Sequence, residues 1–417
     1  MKLPQHFIDY TTSIFGTERW QRFINSFSQM SDVSIRLNPW KLPNNILFSD
    51  IASIPWCKNA YWLKERPHFT LDPLLHAGVY YVQEAGSMFL DQALKQYVTS
   101  PVSALDLCAA PGGKSTLMRA ALPDGSAMIS NETDRRRANI LLENMLKQGH
   151  PDVLVTNNYA RDFQRSNLLF DIIIADVPCS GEGMFRREGV IEEGNLANVR
   201  HCQQRQRNII KDIWPCLRSG GLLIYSTCTF NLHENEENVR WIVEELGAQI
   251  LPVQTDPAWN ITGSLLPDWH YPVYRFIPGI TRSEGFFMAV LQKQPNESSG
   301  DPLQATDPQL LRTKAKAMRN LYILSDGIPV SEPRGKDLIP SPAEALSIHS
   351  SPHSYPRVEL SLEEARRYLH REALRLPPDT PSGYVLVTYQ YHPLGFMKNL
   401  GDRANNLYPK NWAIRNL

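Results

Sequence analysis

The sequence predicts an α/β protein built on a doubly wound parallel sheet, and three observations support this fold class. The segment Phe170–Gly181 holds four consecutive apolar residues followed by an acid, a proline and small residues, which is typical of a strand buried on both faces. Strand and helix patterns then alternate from Ala104 to about Gln292. Finally, polar residues such as Asp176 and Cys179 follow apolar strands at the sheet edge where open α/β folds bind ligands.

Six strands are expected in this alternating region. They are Ala104–Leu107, Ala127–Ser130, Val153–Thr156, Ile172–Ala175, Leu222–Ser226 and Phe286–Leu291. A chain of 417 residues is too long for one hydrophobic core, so we expect several domains. They are a small N-terminal α+β domain (1–77), the alternating domain (78–293), a polar, turn-rich linker (294–307) and a C-terminal region (308–417).

Local patterns give further expectations for the two outer regions. Apolar residues at helical spacing predict a helix over His6–Phe27, and Val33–Pro39 is expected to be a short strand that ends in a turn. The segment Tyr80–Tyr97 is expected to be an amphipathic helix leading into the central domain. In the C-terminal region, alternation around Tyr384–Tyr389 predicts a strand.

Composition restricts the function classes. Lys and Arg together number 43, as do Asp and Glu, so any basic surface must be local. The first residues do not resemble a signal peptide, and no run of about 18 apolar residues predicts a membrane span. Six cysteines without a C-x-x-C pair argue against a zinc site and for reduced thiols. We expect a cytoplasmic monomer with no membrane association, no bound metal and no obligate protein partner.

The loop after the first predicted strand, Cys108–Ser115, is expected to bind a cofactor. Its small residues let backbone amides and a helix N-terminus approach a polar ligand closely. It differs from a phosphate-binding loop only where Cys108 replaces the first glycine of G-x-x-x-x-G-K-S, and Asp176 could then be the partner that holds magnesium. It does not fit a dinucleotide fold, because G-x-G-x-x-G is absent.

A third possibility for this loop is S-adenosylmethionine. That cofactor requires an acid at the end of the second strand to accept its ribose hydroxyls, and Glu132 stands there. A phosphate-loop enzyme has no use for this acid, so the balance favours a methyl donor. Arg137, one turn into the next helix, is either a further cofactor contact or a solvated charge beside Arg135 and Arg136.

Two cysteines follow adjacent predicted strands, Cys179 after Asp176-Val177-Pro178 and Cys228 after Ser226-Thr227. The first segment resembles the D/N-P-P-Y turn of amino methyltransferases that act on flipped bases, with a thiol in place of the aromatic ring. Because neighbouring strands end at the same sheet edge, we expect both thiols to face one pocket.

A thiolate beside a methyl donor suits methylation of carbon 5 of a pyrimidine. Carbon 5 is a poor nucleophile until a thiolate adds to carbon 6 and converts the ring to an enamine, which can attack the sulfonium methyl. Loss of the carbon 5 proton then expels the thiol. The chemistry needs a thiol of lowered pKa, an acid near the ring nitrogen (a role open to Asp176) and help with release, so two cysteines suit it.

With these motifs the chain resembles the Sun family of RNA (cytosine-5) methyltransferases over about residues 78–293. The resemblance rests on Cys108–Ser115, Asp176–Gly183 and Ser226–Thr229. Further segments are similar to bacterial members of the family that act on small-subunit ribosomal RNA. These segments are Tyr80–Ala85, His392–Gly395 and Asn406–Lys410.

The resemblance implies a Rossmann-like class I methyltransferase sheet and a C-terminal PUA-like RNA-binding domain. It implies that Cys228 is the nucleophile and that Cys179 aids release, with Asp176 completing the catalytic group. A further polar contact usually follows the third strand as an acid, and Asn158 is the nearest match here. The expected S-adenosylmethionine contacts are Cys108, Ala109, Ala110, Pro111, Gly112, Gly113, Lys114, Glu132, Arg137, Asn158 and Asp176.

Local basic clusters give RNA binding independent support. They are Arg186 and Arg187, the helical set Arg200, Arg205, Arg207 and Lys211, and the C-terminal set Lys398, Arg403, Lys410 and Arg415. The sequence thus predicts an RNA (cytosine-5) methyltransferase acting on small-subunit ribosomal RNA, or alternatively on tRNA. Rival possibilities are an amino methyltransferase, a nucleotide-hydrolysing enzyme and an RNA-binding assembly factor without turnover; the intact thiols and acids argue against the last.

Overall fold

The computed structural model of the chain describes residues 3–42, 48–188, 196–295, 308–334, 337–349 and 355–415. Within these ranges, no helix is long and apolar enough to cross a membrane. Most of the predicted linker, residues 296–307, lies outside the described part of the chain.

The N-terminal region combines one long helix with a small antiparallel sheet. Helix α1 (Gln5–Ser26) bends at Gly16, whose φ is +73°, and its phenylalanines pack against Phe185 and Phe230 of the central domain. The sheet has the order β2-β3-β1-β4, and helix α2 precedes its last strand. Its elements are β1 (Val33–Leu37), β2 (Ile51–Ser53), β3 (Ala60–Leu63), α2 (Pro73–His76) and β4 (Tyr80–Val82). The expected helix over His6–Phe27 and strand within Val33–Pro39 are therefore confirmed.

The helix expected over Tyr80–Tyr97 is wrong in its first half. Tyr80–Val82 forms β4, which pairs antiparallel with β1 through Leu37, Arg36 and Ile35. The following turn is held by the Glu84 carboxylate, which accepts hydrogen bonds from two backbone amides, and helix α3 covers only Leu90–Tyr97. Two tyrosines and a valine favour a strand once a partner strand is available, which a helical periodicity does not reveal.

The central domain is a sheet with helices on both faces. The strands are β5 (Ser103–Asp106), β6 (Ala127–Asn131), β7 (Val153–Thr156), β8 (Phe170–Asp176), β9 (Leu217–Thr227), β10 (Ala248–Leu251), β11 (Tyr274–Phe276), β12 (Phe286–Lys293) and β13 (Ile323–Asp326). The helices are α4 (Gly113–Ala121), α5 (Arg135–Gln148), α6 (Ala160–Ser166), α7 (Phe185–Glu188), α8 (Leu196–Ile213), α9 (Glu236–Leu246) and α10 (Pro308–Ala317).

The strand order in this sheet is β10-β12-β9-β8-β5-β6-β7-β13, with β11 also beside β12. Strands β5 to β9 are mutually parallel, as predicted, and all six expected strands are present. The predicted parallel direction does not extend to the sixth expected strand, because β12 runs antiparallel between β9 and β10. Strand β8 is buried on both faces: Ile172 and Ile174 belong to one core, and Ile173 and Ala175 to the other.

The C-terminal region is attached to both other parts of the chain. Strand β13 extends the central sheet by pairing antiparallel with β7, although it follows the predicted linker. The remaining elements are β14 (Glu332–Arg334), β15 (Asp337–Ile339), α11 (Pro342–Ala345), β16 (Arg357–Glu359), α12 (Leu362–Leu369), β17 (Gly383–Tyr389), β18 (His392–Asn399) and β19 (Ala404–Asn406). Strand β17 confirms the predicted Tyr384–Tyr389 strand. Leu74 and Tyr368 belong to the same apolar cluster, so the core of the C-terminal region is continuous with that of the N-terminal sheet.

Candidate active site

The loop between β5 and α4 is held open by hydrogen bonds from the neighbouring elements. The amide of Ala109 donates to the Asn131 carbonyl (2.8 Å), and the Asn144 side chain donates to the Pro111 carbonyl (2.7 Å). Gly112 has a φ of +119°, which L side chains rarely adopt, so glycine is required where the loop enters the helix. The loop therefore leaves the carboxyl edge of the sheet accessible to a ligand.

Glu132 comes directly after β6, where a ribose-binding acid is expected from the sequence. Its side chain is 4% exposed, and one carboxylate oxygen, Oε1, accepts hydrogen bonds from Thr133 and the Asp134 amide. The other, Oε2, has no hydrogen-bond donor among the described residues and lies 3.5 Å from the Arg137 guanidinium. A buried carboxylate oxygen that lacks a donor is suited to accept a ligand hydroxyl.

Arg137 reaches back to the loop between β5 and α4. Its guanidinium donates to the Ala110 carbonyl at 2.7 Å and pairs with Glu132. The residue therefore connects the first-strand loop to Glu132 while about half of its side chain, 55%, stays exposed.

A cavity of about 650 Å³ runs from Glu132 to the two cysteines, and we call it the cofactor cavity. Its lining includes Cys108, Glu132, Arg137, Asp176, Cys179 and Cys228. This volume is ordinary for a nucleoside-sized ligand. The small-residue loop, the unsatisfied Glu132 oxygen and the cavity between them fit S-adenosylmethionine.

The phosphate-loop alternative finds no support in this geometry. Lys114 donates to Asp176 and Ser115 donates to Asp106, so carboxylates engage both side chains that would otherwise face phosphate and magnesium. Asp106 is buried, and this burial raises its pKa to about 7 despite the Ser115 hydrogen bond. The side chains of Lys114 and Ser115 are therefore engaged within the protein and are not free to bind a triphosphate.

The Asn158 side chain does not face the cofactor cavity as predicted but binds the backbone of Tyr322. The residue is buried, and its amide forms hydrogen bonds with both the carbonyl and the N–H of Tyr322, just before β13. The cavity wall after β7 is instead formed by Tyr159, Ala160 and Arg161. The structure therefore corrects this position: the Asn158 side chain attaches the C-terminal segment to the central sheet.

Cys179 and Cys228 come together at the ends of β8 and β9, with their Sγ atoms 3.2 Å apart. Their mutual hydrogen bond, then burial, raises the pKa of Cys179 well above its ordinary value. The same hydrogen bond lowers the pKa of Cys228, and the Lys114 ammonium favours its thiolate further against the opposing effects of burial and Asp176. The two pKa shifts have opposite directions, so the surroundings favour Cys228 over Cys179 as the thiolate of the pair.

Asp176 and Lys114 form an ion pair beside the thiols. The ammonium lies 2.8 Å from Oδ2 of Asp176, and Ser226 donates to Oδ1 at 2.7 Å. Burial alone would lower the pKa of Lys114, but the attraction of Asp176 outweighs it and raises that pKa. The carboxylate is therefore fixed in position, and the ammonium stays charged close to Cys228.

A second cavity, of about 300 Å³, opens on the other side of this cluster, and we call it the target cavity. It shares Cys108, Asp176 and Cys228 with the cofactor cavity and extends towards Tyr81, Glu284 and Phe286. Two cavities that meet at one thiolate allow two molecules to approach the same atom from different sides.

Two buried glutamates brace the cysteine loops reciprocally, and sequence reasoning gave neither a role. Glu182, from the Cys179 loop, accepts hydrogen bonds from the Thr229 hydroxyl and the amides of Phe230 and Asn231, which follow Cys228. Glu234, which follows Cys228, accepts from the Ser180 amide and from Gln206. The available signal was a charged residue, Glu182, within a motif of small residues. Its partners could not be recognised from the sequence, because they lie about 50 positions further along the chain.

Gly183 completes this arrangement by permitting a close approach. Its amide donates to the Cys228 carbonyl at 2.9 Å, and a Cβ at this position would lie 2.5 Å from that oxygen. A side chain here would push the two loops, and with them the two thiols, apart.

The predicted basic clusters divide into internal and exposed groups. Arg186 is buried in an ion pair with Glu284 at 2.9 Å, so it is not available to phosphate. Arg200 pairs with Glu237, Arg207 donates to Asn238, and Arg205 lines the cofactor cavity. The exposed members include Arg403, Lys410 and Arg415 of the C-terminal region.

Together, the sheet order, the loop after β5 and the acid after β6 define a class I methyltransferase that uses S-adenosylmethionine. Three family models cover most of the chain. They are described as 16S rRNA methyltransferase RsmB/F (residues 98–292), the N-terminal domain of 16S rRNA methyltransferase RsmF (3–85) and the methyltransferase RsmF PUA domain (355–414). The chain belongs to the RsmB/F family of RNA methyltransferases.

Individual relatives agree with this membership. The chain is 26% identical to ribosomal RNA small subunit methyltransferase F of Erwinia tasmaniensis, covering 98% of this chain and 96% of that protein. It is 28% identical to the protein of the same name from Salmonella heidelberg, covering 95% and 93%. Among solved structures, NSun6 from Pyrococcus horikoshii has the same fold, with a TM-score of 0.61 and 19% identity over 70% of this chain and 99% of that one.

Proposed function

We propose that this enzyme methylates carbon 5 of a cytosine in small-subunit ribosomal RNA through a covalent adduct with Cys228. The observation that carries the proposal is the pair of thiols 3.2 Å apart, with Cys228 lining both the cofactor cavity and the target cavity. A thiolate in that position can reach a base in the target cavity while a methyl donor occupies the cofactor cavity.

Attack begins from a thiolate that the site already favours. Cys179 and Lys114 stabilise the negative charge on Cys228, so its sulfur can add to carbon 6 of cytosine and form the carbon–sulfur bond. The electrons of the ring double bond then make carbon 5 nucleophilic. When bound, S-adenosylmethionine supplies an electrophilic methyl group.

Asp176 is the proposed group that binds the edge of the cytosine ring. One of its oxygens is held by Lys114 and the other by Ser226, so the carboxylate has a fixed orientation at the junction of the two cavities. There it can accept a hydrogen bond from the exocyclic amine and so orient the ring for attack at carbon 6.

Release is the proposed role of Cys179. Elimination needs a base for the carbon 5 proton and stabilisation of the sulfur that leaves carbon 6. Cys179 is already hydrogen-bonded to Cys228, so it can give its proton to the departing sulfur, and the Cys179 thiolate left behind can take up the carbon 5 proton, which restores its thiol. Without it, the adduct should form but decay slowly.

The names of the relatives and the PUA-domain match support ribosomal RNA as the substrate. We propose that the enzyme acts as a monomer in the cytoplasm, where its six free cysteines would stay reduced. Intact catalytic thiols favour turnover over a purely structural role in ribosome assembly. A tRNA substrate remains the alternative to be tested.

The test uses purified protein with S-adenosylmethionine and three substrates: naked small-subunit ribosomal RNA, assembled small subunits and total tRNA. Bisulfite sequencing should locate one new methylcytosine in a ribosomal substrate and none in tRNA. A second reaction uses ribosomal RNA with 5-fluorocytidine, whose fluorine cannot be eliminated, and should leave protein covalently attached to RNA. Methylation of an adenine or guanine amine, or of tRNA alone, would contradict the proposal.

A further inference from the structure

A third cavity, of about 240 Å³, lies beside the target cavity where the N-terminal sheet meets the central domain, and we call it the lateral cavity. Its lining includes Arg36, Asn38, Tyr81, Asn144, Lys147 and Gln148. Tyr81 and Val82 of β4 also line the target cavity. The two cavities therefore share part of β4 as a common wall.

Tyr81 is held as a fixed wall between them. Its backbone is paired with Arg36 in the N-terminal sheet, and its ring packs against the first turn of α4, where a Cβ on Gly113 would lie 3.3 Å from Tyr81 Cε1. A rigid aromatic ring at the edge of a catalytic cavity can stack on the base next to the one being modified. Such stacking is a common way to hold single-stranded RNA.

Arg36 brings positive charge to the lateral cavity without a carboxylate in direct contact, although Asp91 is close enough to favour its charged form. Its side chain is 5% exposed, and it donates to neutral acceptors, Gln83 Oε1 at 3.1 Å and Thr116 Oγ1 at 2.6 Å. No carboxylate oxygen of the described residues lies within 4 Å of its nitrogens, in contrast to Arg186, which pairs with Glu284. A buried cation without an acid in contact is costly, and an anionic ligand such as phosphate would offset that cost.

Gln148 adds an acceptor for a base. It is 5% exposed, and its amide nitrogen donates to the Thr116 carbonyl, whereas Oε1 has no donor among the described residues. A buried amide oxygen without a donor favours a ligand with an N–H group, such as the exocyclic amine of a nucleobase.

We propose that the lateral cavity binds the nucleotide adjacent to the target cytosine. Its base stacks on Tyr81 and offers an amine to Gln148, and its phosphate lies close to Arg36. The neighbouring nucleotide suits this place because one strand separates the two cavities, and successive nucleotides are covalently linked. This inference rests on the proposed cytosine methylation and assigns part of the RNA recognition to the N-terminal domain.

The first experiment compares Tyr81→Leu with Tyr81→Phe in the full-length protein. Leucine keeps apolar bulk but has no aromatic face, so KM for ribosomal RNA should rise about 10- to 100-fold, whereas phenylalanine should leave it nearly unchanged. Calorimetry with S-adenosylmethionine should give wild-type affinity for both variants, since Tyr81 does not line the cofactor cavity. Equal KM values for the two variants would overturn the proposal.

The second experiment removes the base instead of the ring. Once the target is mapped, RNAs are made with an abasic site on its 5′ or its 3′ side. For the wild type, an abasic site at one of the two positions should raise KM about 10- to 100-fold. For Tyr81→Leu, the same abasic site should raise KM little further, because the stacking contact is already absent. Additive losses would place the neighbouring base elsewhere. If the wild type methylates no cytosine at all, the proposed function itself fails, which is a distinguishable result.

Discussion

Cys179 and Cys228 occupy equivalent positions, each at the carboxyl end of a parallel strand, yet their surroundings make them chemically different. Cys228 lines both cavities and lies near the Lys114 ammonium, whereas Cys179 lines only the cofactor cavity of the two, and the Glu234 carboxylate acts on both thiols. One thiol is therefore suited to attack and the other to keep its proton. Position on the fold makes a residue a candidate, and its charged neighbours determine which task it performs.

The largest effect should come from removing the nucleophile. Cys228→Ser should lower methyl transfer by at least roughly 10⁴-fold, because an alcohol is far less ionised than a thiol at neutral pH. Transfer of labelled methyl groups to ribosomal RNA measures this change. Cys216→Ala is the matched control, since Cys216 is a buried thiol remote from both cavities and should not affect kcat. Wild-type turnover by Cys228→Ser would end the covalent account.

The next largest effect tests why Cys228 is the thiolate. Lys114→Met removes the nearby cation and leaves Asp176 unpaired, so the pKa of Cys228 should rise and its thiolate fraction at a given low pH should fall. We expect a loss of about 10²- to 10³-fold in kcat at saturating cofactor. The acid limb of the pH–rate profile should move to higher pH.

Lys114→Arg keeps the charge and is the control for this change. The pH–rate profile of Lys114→Arg should stay close to that of the wild type. Iodoacetamide should alkylate Cys228 at similar rates in the wild type and in Lys114→Arg, and more slowly in Lys114→Met. An unshifted acid limb in Lys114→Met would mean that the ammonium does not set the state of the thiol.

The reciprocal glutamates separate the two roles further. Glu182→Gln loosens the segment after Cys228 and should slow adduct formation, whereas Glu234→Gln loosens the segment after Cys179 and should slow adduct decay. We expect losses of about 10- to 100-fold, consistent with roughly 1–3 kcal/mol for a disturbed buried hydrogen-bond group. Single-turnover kinetics resolves the two steps, and melting temperature reports the structural cost. Identical kinetic defects in both variants would mean that the braces stabilise the fold without distinguishing the thiols.

A substitution at Glu132, at the opposite end of the cofactor cavity, should not change the reactivity of the two thiols. Glu132→Ala should weaken S-adenosylmethionine binding by roughly 1–3 kcal/mol, because charge-assisted hydrogen bonds to the ribose are lost. Isothermal calorimetry measures the affinity, and the pH dependence of Cys228 alkylation should not change. Tight binding of ATP, with none of S-adenosylmethionine, would return the loop to the phosphate-binding interpretation.

The smallest effect concerns the C-terminal domain. Arg403→Ala with Lys410→Ala removes two exposed charges, so the slope of log affinity against log salt should fall by about one to two. The KM for ribosomal RNA should rise several-fold with kcat unchanged. Substitution is the better test than deletion, because this domain shares an apolar core with the N-terminal sheet. An unchanged salt slope would remove these residues from the RNA interface.

Much of the central domain could be predicted because its signals are local. Apolar runs such as Ile172–Ala175 locate the strands, and the residues after each run, including Glu132, Asp176 and Cys228, identify the ligand-binding edge. The same logic failed for Tyr80–Val82, since a pairing with β1 more than 40 residues earlier determines its conformation. It also could not show that β12 is antiparallel, because an apolar strand has the same composition in either direction.

The details of the site depend on contacts that no local pattern contains. Asn158 binds Tyr322 and Arg186 binds Glu284, each about 100 or more positions away, so neither could be recognised as internal from its own segment. The roles of Glu182 and Glu234 could not be predicted for the same reason. Residue type and position indicated the chemistry, whereas the distribution of charge around each thiol required the folded chain.

The most direct test of the difference between the thiols is the fate of the covalent adduct. Cys179→Ala and Cys228→Ala are incubated with ribosomal RNA and S-adenosylmethionine and then separated by denaturing electrophoresis. We predict that Cys179→Ala accumulates a protein–RNA adduct that survives denaturation, whereas Cys228→Ala forms none. An adduct in Cys228→Ala and none in Cys179→Ala would reverse the two roles and contradict the assignment of the nucleophile.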